Sequence, residues 1–146
     1  MTRVSIPDTI SIGRGLFSNC CQLRSVDLHS SITSIGIRAF ARCTTLESIT
    51  IPDHVTEIPP YLLSSWWGLA SCTIPGSPLS IASSVFYECR FLESITIPPA
   101  VKEVGHQAFH GCAALASVSL PRSVLDWMGC IVSMQQSGFC LHSQSL

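Results

Sequence analysis

Charge is scarce in this chain. Only 12% of its 146 residues are Asp, Glu, Lys or Arg, and the formal net charge is -1. One lysine, Lys102, and seven scattered arginines leave no basic stripe, which argues against a nucleic-acid partner. Long apolar runs are missing too. Ser, Thr, Glu or Pro breaks the sequence every few positions, so no membrane span is expected. The nearest approach, from Val124 to Leu141, is interrupted by Asp126, Gln135 and Gln136. The N-terminal MTRVSIP lacks the apolar region of an export signal. No glycine elbow surrounds any serine. GRGLFS, at 13–18, has glycine only at 13 and 15 and no lysine, so it is not a phosphate loop. Nucleophilic catalysis needs a nucleophile beside an oriented base, and no motif supplies one. The chain therefore reads as non-enzymatic, with no catalytic residue and no cofactor.

What the chain does contain is apolar and repeated. It is 47% hydrophobic with a mean hydropathy of +0.42, too apolar for a disordered chain, and its length suits one domain. LESITIP occurs at 46–52 and again at 92–98. The separation of 46 is twice 23, and at 23 the chain falls into register. Phe17, Phe40, Phe86 and Phe109 share a column with Leu63. Cys20, Cys43, Cys89 and Cys112 share another with Trp66. Leu23, Leu46, Leu69, Leu92 and Leu115 form a third, and Pro52, Pro75, Pro98 and Pro121 end the unit. A period of this length, written about five times, means stacked coils.

Within each unit L-x-S-I-x-I-P alternates apolar and polar residues, the period of a half-buried strand closed by proline. Strands at one phase of successive coils should stack in parallel, giving a sheet about 24 Å wide over five coils at 4.8 Å spacing. The second segment, such as SIGIRAFARC at 34–43, turns at glycine. There Ala39, Phe40 and Cys43 lie at i, i+1 and i+4, the spacing of one inward-facing helical turn. The repeat domain is assigned to 1–124 and a non-repeat tail to 125–146, which is either an improvised cap, with Trp127, Met128 and Ile131 as contacts, or disordered. The chain starts in phase, with no room for an N-terminal cap. An exposed first coil with unpaired strand groups invites self-association.

The pattern I-x-x-x-A-F-x-x-C-x-x-L-x-x-I-x-I-P resembles the BspA-like leucine-rich repeat, a class with 23-residue units. The asparagine-ladder subclass fits poorly, since Asn19 is the one asparagine. The resemblance implies a right-handed solenoid with a parallel sheet on one face and short helical turns or strands on the other. It also implies a binding role, often at the cell surface or after secretion, as an adhesion protein or surface antigen. It brings no catalytic residues.

Candidate binding residues follow from the strand face. Ser25, Ser48, Ser71, Ser94 and Ser117 form one column, and Asp27, Thr50, Thr73, Thr96 and Ser119 a second. Such strips suit a protein or surface-glycan ligand, though Ser and Thr also simply suit solvent-facing strand positions. Glu47, Thr50, Trp67, Thr73, Glu93 and Thr96 are the candidates. Trp67 is included because Trp66 takes a core slot and turns its neighbour outward, and tryptophan anchors interfaces. His106 and His110, at i and i+4 before Cys112, have zinc-like spacing, but Phe109 and Cys112 belong to core columns, so no metal site is assigned. Cys43, Cys72, Cys89 and Cys112 read as small buried hydrophobes, while Cys21, Cys130 and Cys140 lie off the columns. Two other readings stand beside recognition: a fragment of a longer surface repeat array, and a metal- or redox-active protein using the off-column cysteines with His106 and His110.

Overall fold

The structure, a computed structural model, describes residues 2–122, Val124 and 140–143. Successive coils stack in three sides around one core. The strand side carries β1 (Thr2–Ser5), β3 (Leu23–Asp27), β7 (Ser94–Thr96), β9 (Ser117–Leu120) and β10 (Cys140–Ser143). The short-strand side carries β2 (Ser11–Ile12), β4 (Ser34–Ile35), β5 (Glu57–Ile58), β6 (Ser80–Ile81) and β8 (Glu103–Val104). Every pairing is parallel, and partners such as Ser11↔Ser34 and Ile95↔Val118 lie one 23-residue period apart. The period read from the sequence is thus the register of the sheets. β10, inside the segment assigned to the tail, keeps that register, with Cys140 opposite Ser117 and Leu141 opposite Val118. The contacts proposed for Trp127, Met128 and Ile131 lie outside the described residues.

The core is one continuous cluster fed by the repeat columns. Phe40, Phe86, Leu46, Leu69, Leu92, Ile32 and Ile58 are at most 1% exposed. Phe17 stacks on Phe40 at 5.2 Å and Phe86 on Phe109 at 5.4 Å, rings within 6° of parallel. In the coil between them Leu63 takes the phenylalanine slot and Trp66 the cysteine slot, both fully buried. The larger residue in one slot offsets the smaller in the other, so packing density is kept.

The third side corrects the helical-turn expectation: among the described residues there is no helix. Each A-F-x-x-C segment is a series of tight turns with a left-handed residue at either end. Gly15, Arg38, Tyr61, Ser84 and Gln107 form one left-handed column, and Asn19, Arg42, Ser65, Glu88 and Gly111 the other. Eight of these ten carry a side chain, and each such residue costs about 1 kcal/mol or more. Bonds between coils offset that cost. Arg38, Phe40 and Arg42 N–H donate to the carbonyls of Pro60, Leu62 and Ser64 at 3.2, 3.2 and 2.8 Å. The coils before and after repeat the pattern, as in Gly15 to Ile37 and Ser84 to His106. A helix would satisfy its donors inside the coil; here they tie one coil to the next.

One column explains a break on the short-strand side. Gly36, Ala82 and Gly105 N–H donate to Ile12, Ile58 and Ile81 carbonyls of the preceding coil. The same position between β4 and β5 is Pro59, which has no N–H to give. The side accordingly divides into β2-β4 and β5-β6-β8. Glycine has a second use in this column. A Cβ on Gly105 would stand 2.4 Å from Ser83 N and 2.5 Å from the Ala82 carbonyl carbon. Backbone cannot yield as a side chain would. Gly105→Ala should therefore cost about 1–3 kcal/mol or more, visible as a lower urea midpoint, whereas Gly76→Ala, with nothing nearby, should cost far less.

Candidate functional site

All six candidate residues of the strand side are exposed. Alternation explains this: Ile49, Ile51, Ile95 and Ile97 turn into the core, so Thr50 and Thr96 turn out. Thr50 and Thr73 are brought opposite one another by a parallel bridge. Glu47 and Glu93 share a column but stand two coils apart with Ala70 between, roughly 10 Å at normal strand spacing. Trp67 sits at the corner before the strand. It is 48% exposed, and the Arg90 guanidinium lies 5.6 Å from its ring centroid. Arg90 is fixed in turn by Glu88, at 2.9 Å. Trp67 is thus a braced surface aromatic, apart from the threonine strip.

The strand side is not one closed sheet. β1 pairs with β3, and β9 with β7 and β10, but between β3 and the 48–53 segment, and between 71–76 and β7, the ladder opens. A groove of about 430 Å³ occupies the first opening, lined by Ser25, Asp27, Ser48, Thr50 and Asp53 over Val26 and Ile49. A groove of about 470 Å³ occupies the second, lined by Ser71, Thr73, Ser94 and Thr96 over Cys72 and Ile95. Thr73 and Thr96 therefore form opposite lips of one groove. Asp27 and Asp53, not among the candidates, bring negative charge to the other. The sequence departs from the strand motif beside both openings, at Asp27 and His29 in one coil and at Cys72 in another.

The cysteine column is structural. Cys43, Cys89 and Cys112 are buried, and their thiols donate to the carbonyls of Phe17, Leu63 and Phe86 at 3.1, 3.0 and 3.0 Å. Burial pushes the Cys43 and Cys112 thiols up to about 12 from the usual 9.0 and raises Cys89 well above it. Cys72 keeps some solvent contact as a residue, yet desolvation lifts its thiol to about 12 as well. A thiolate is the form that attacks or binds metal, and these four stay protonated at neutral pH. His106 is exposed while His110 stacks on Tyr87 at 5.0 Å. Among the described residues no three His, Cys, Asp or Glu side chains come together as a metal site, and no helix is long and apolar enough to cross a membrane.

With the stacked coils, the buried cysteine and phenylalanine columns and the exposed strand side established, comparison with known proteins is direct. A family profile described as the BspA type leucine rich repeat region matches residues 2–130 in six copies. The chain belongs to the BspA-type leucine-rich repeat family. Its structure is similar to that of a leucine-rich repeat protein of T. pallidum, with a TM-score of 0.80 and 30% identity over 96% of this chain and 68% of that one. It is also similar to a leucine-rich repeat protein from Bacteroides ovatus, with a TM-score of 0.73, 29% identity, and 81% of this chain against 39% of that one. A leucine rich cell surface protein from Faecalibacterium prausnitzii gives a TM-score of 0.74 and 32% identity, over 81% of this chain and 32% of that one. This BspA-type chain thus spans about two-fifths of the Bacteroides protein and a third of the Faecalibacterium one. No curated protein matches it.

Proposed function

We propose that this chain is a non-enzymatic recognition module, presented at a cell surface, that binds a protein or surface glycan along its strand side. The observation that carries this reading is the paired opening of the strand ladder. Two hydroxyl-lined grooves sit in line on a face whose apolar residues point inward, so the exposed surface is free to meet a partner. Thr50, Thr73 and Thr96 border the grooves, Glu47 and Glu93 flank them, and Trp67 supplies an aromatic anchor at the corner. The family and the cell-surface protein among its structural relatives support an adhesive role, either alone or within a longer repeat array. The protonated column thiols offer no redox or metal chemistry; of the off-column cysteines Cys21 is exposed, and Cys130 and the Cys140 side chain lie outside the described residues.

The test is a titration of the chain over purified matrix glycoproteins, intact and deglycosylated, beside a Thr73→Arg/Thr96→Arg variant. Both positions are solvent-facing, so the variant should fold. Blocking the groove should weaken binding about tenfold or more, about 1.4 kcal/mol. Unchanged binding by the variant would remove the strand side as the site, and deglycosylation separates a sugar ligand from a protein one.

A further inference from the structure

The turn side, around the molecule from the strand side, holds a third groove of about 350 Å³. Arg38, Arg42, Tyr61, Tyr87, Asn19 and Ser65 line it, and no carboxylate does. We propose that this groove binds an acidic oligosaccharide, a sugar carrying a carboxylate or sulfate group. The site is independent of the recognition assigned to the strand side.

Charge is the first support. The ion pairs among the described residues are Arg3 with Asp27, His29 with Asp8, and Arg90 with Glu88. Arg38 and Arg42 are in none of them, and of the unpaired arginines these two line one groove. Glu88, in the Arg42 column two coils on, is already occupied by Arg90. Two unpaired guanidinium groups, four residues apart on one face, present planar forks that match carboxylate or sulfate oxygens.

Rigidity is the second. Both arginines are held left-handed, at φ 59° and 60°, and each N–H is bonded to the next coil. The Arg38 guanidinium also lies 4.8 Å from the Tyr61 ring centroid. The fixed backbone of both, and the bracing of Arg38 on Tyr61, reduce the freedom lost on binding.

The surface also selects between a sugar and a peptide. The N–H groups of Arg38, Phe40, Arg42, Tyr61, Leu63 and Ser65 all donate to the neighbouring coil. No open row of backbone donors remains for a peptide strand to join. What is left is side-chain chemistry: phenols, hydroxyls, an amide and guanidinium groups around a concavity within the usual range for small ligands.

Calorimetry with a heparin-derived tetrasaccharide and a sialylated trisaccharide, each beside its desulfated or asialo counterpart, tests this. An Arg38→Asn/Arg42→Asn variant removes the charge while Asn tolerates the left-handed backbone. At least one acidic sugar should bind, and its neutral counterpart and the double variant should each lose about tenfold or more in affinity. Arg24→Gln, on the strand side, should change little. Which sugar binds tells sulfate from carboxylate. Arg38→Lys/Arg42→Lys should lose part of the affinity, because the charge stays and the fork goes, and this holds the test should the asparagine variant fold poorly. The proposal is overturned by no binding of either sugar, by equal binding of neutral sugars, by equal loss in Arg24→Gln, or by tighter binding of a poly-glutamate hexapeptide.

Discussion

Stability should fall steeply once the pH passes about 9, with most of it lost by about pH 11. The cause is the thiol column. In the unfolded chain a cysteine titrates near 9.0, while in the fold burial pushes Cys43, Cys72 and Cys112 up to about 12 and Cys89 well above its ordinary value. Between those limits the unfolded state has lost its protons and the native state has kept them. The unfolded state then binds fewer protons, so stability drops as pH rises. Below about 9 both states are protonated and the full stability is present. Each thiol contributes a slope of about 1.4 kcal/mol per pH unit, and four together about 5.5. Against a total stability of about 5–15 kcal/mol, two units of pH remove about 11 kcal/mol, most of what the fold has. Urea midpoints by tryptophan fluorescence at steps from pH 8 to 11 measure the slope. Cys112→Ala should flatten it by about one-quarter. A midpoint that holds steady across this range would mean that the buried thiols do not keep their protons.

The columns behind this prediction are legible because burial repeats with the coil. Phe40, Cys43, Leu46 and Ile49 recur at 23 since each must meet its counterpart above and below. Backbone conformation is much less legible. The left-handed columns contain Gly15, Asn19 and Gly111, residues that tolerate that region, but also Arg38, Tyr61, Glu88 and Gln107. The second group follows no local preference. For Arg38, Tyr61 and Glu88 bonds to the next coil set the conformation, and those bonds join residues 22 apart. Read locally, Ala39, Phe40 and Cys43 have helical spacing, so a helical turn was the natural expectation and the wrong one. Pro59 was visible in the sequence, yet its effect on β4 and β5 appears only when the donors of Gly36 and Ala82 stand beside it.

The candidate sites divide in the same way. Exposure of Thr50, Thr73 and Thr96 follows from alternation along one strand. Their arrangement around two grooves does not, because it depends on which coils stay paired. The groove of Arg38 and Arg42 is further from view. Its tyrosines come from the next two coils, and their columns elsewhere hold Gly15, Ser18 and Ala41. Column reading rewards sameness, and a site made of exceptions to the columns escapes it.

Replacing Phe86 with alanine should cost about 3–5 kcal/mol, the cost of a large cavity in a close-packed core. Phe86 is fully buried, lies parallel to Phe109 at 5.4 Å, and packs in a coil with neighbours on both sides. The backbone there is committed: Phe86 N–H donates to Ala108, and its carbonyl accepts from Cys89 N–H and the Cys112 thiol. Those bonds hold the coils at fixed spacing, so the cavity cannot close by collapse. Leu63 shows that leucine can occupy this column when a neighbouring slot enlarges, as Trp66 does. Phe86→Leu, without that compensation, should fall between alanine and the parent, at about 1–2 kcal/mol. Phe17→Ala removes the same atoms from a half-exposed position in the first coil and should cost less than half as much as Phe86→Ala. Urea denaturation of the three variants reads the ordering. In a stack where each coil touches only its neighbours, interior position and burial set the cost together. Equal losses for Phe17→Ala and Phe86→Ala would contradict that account.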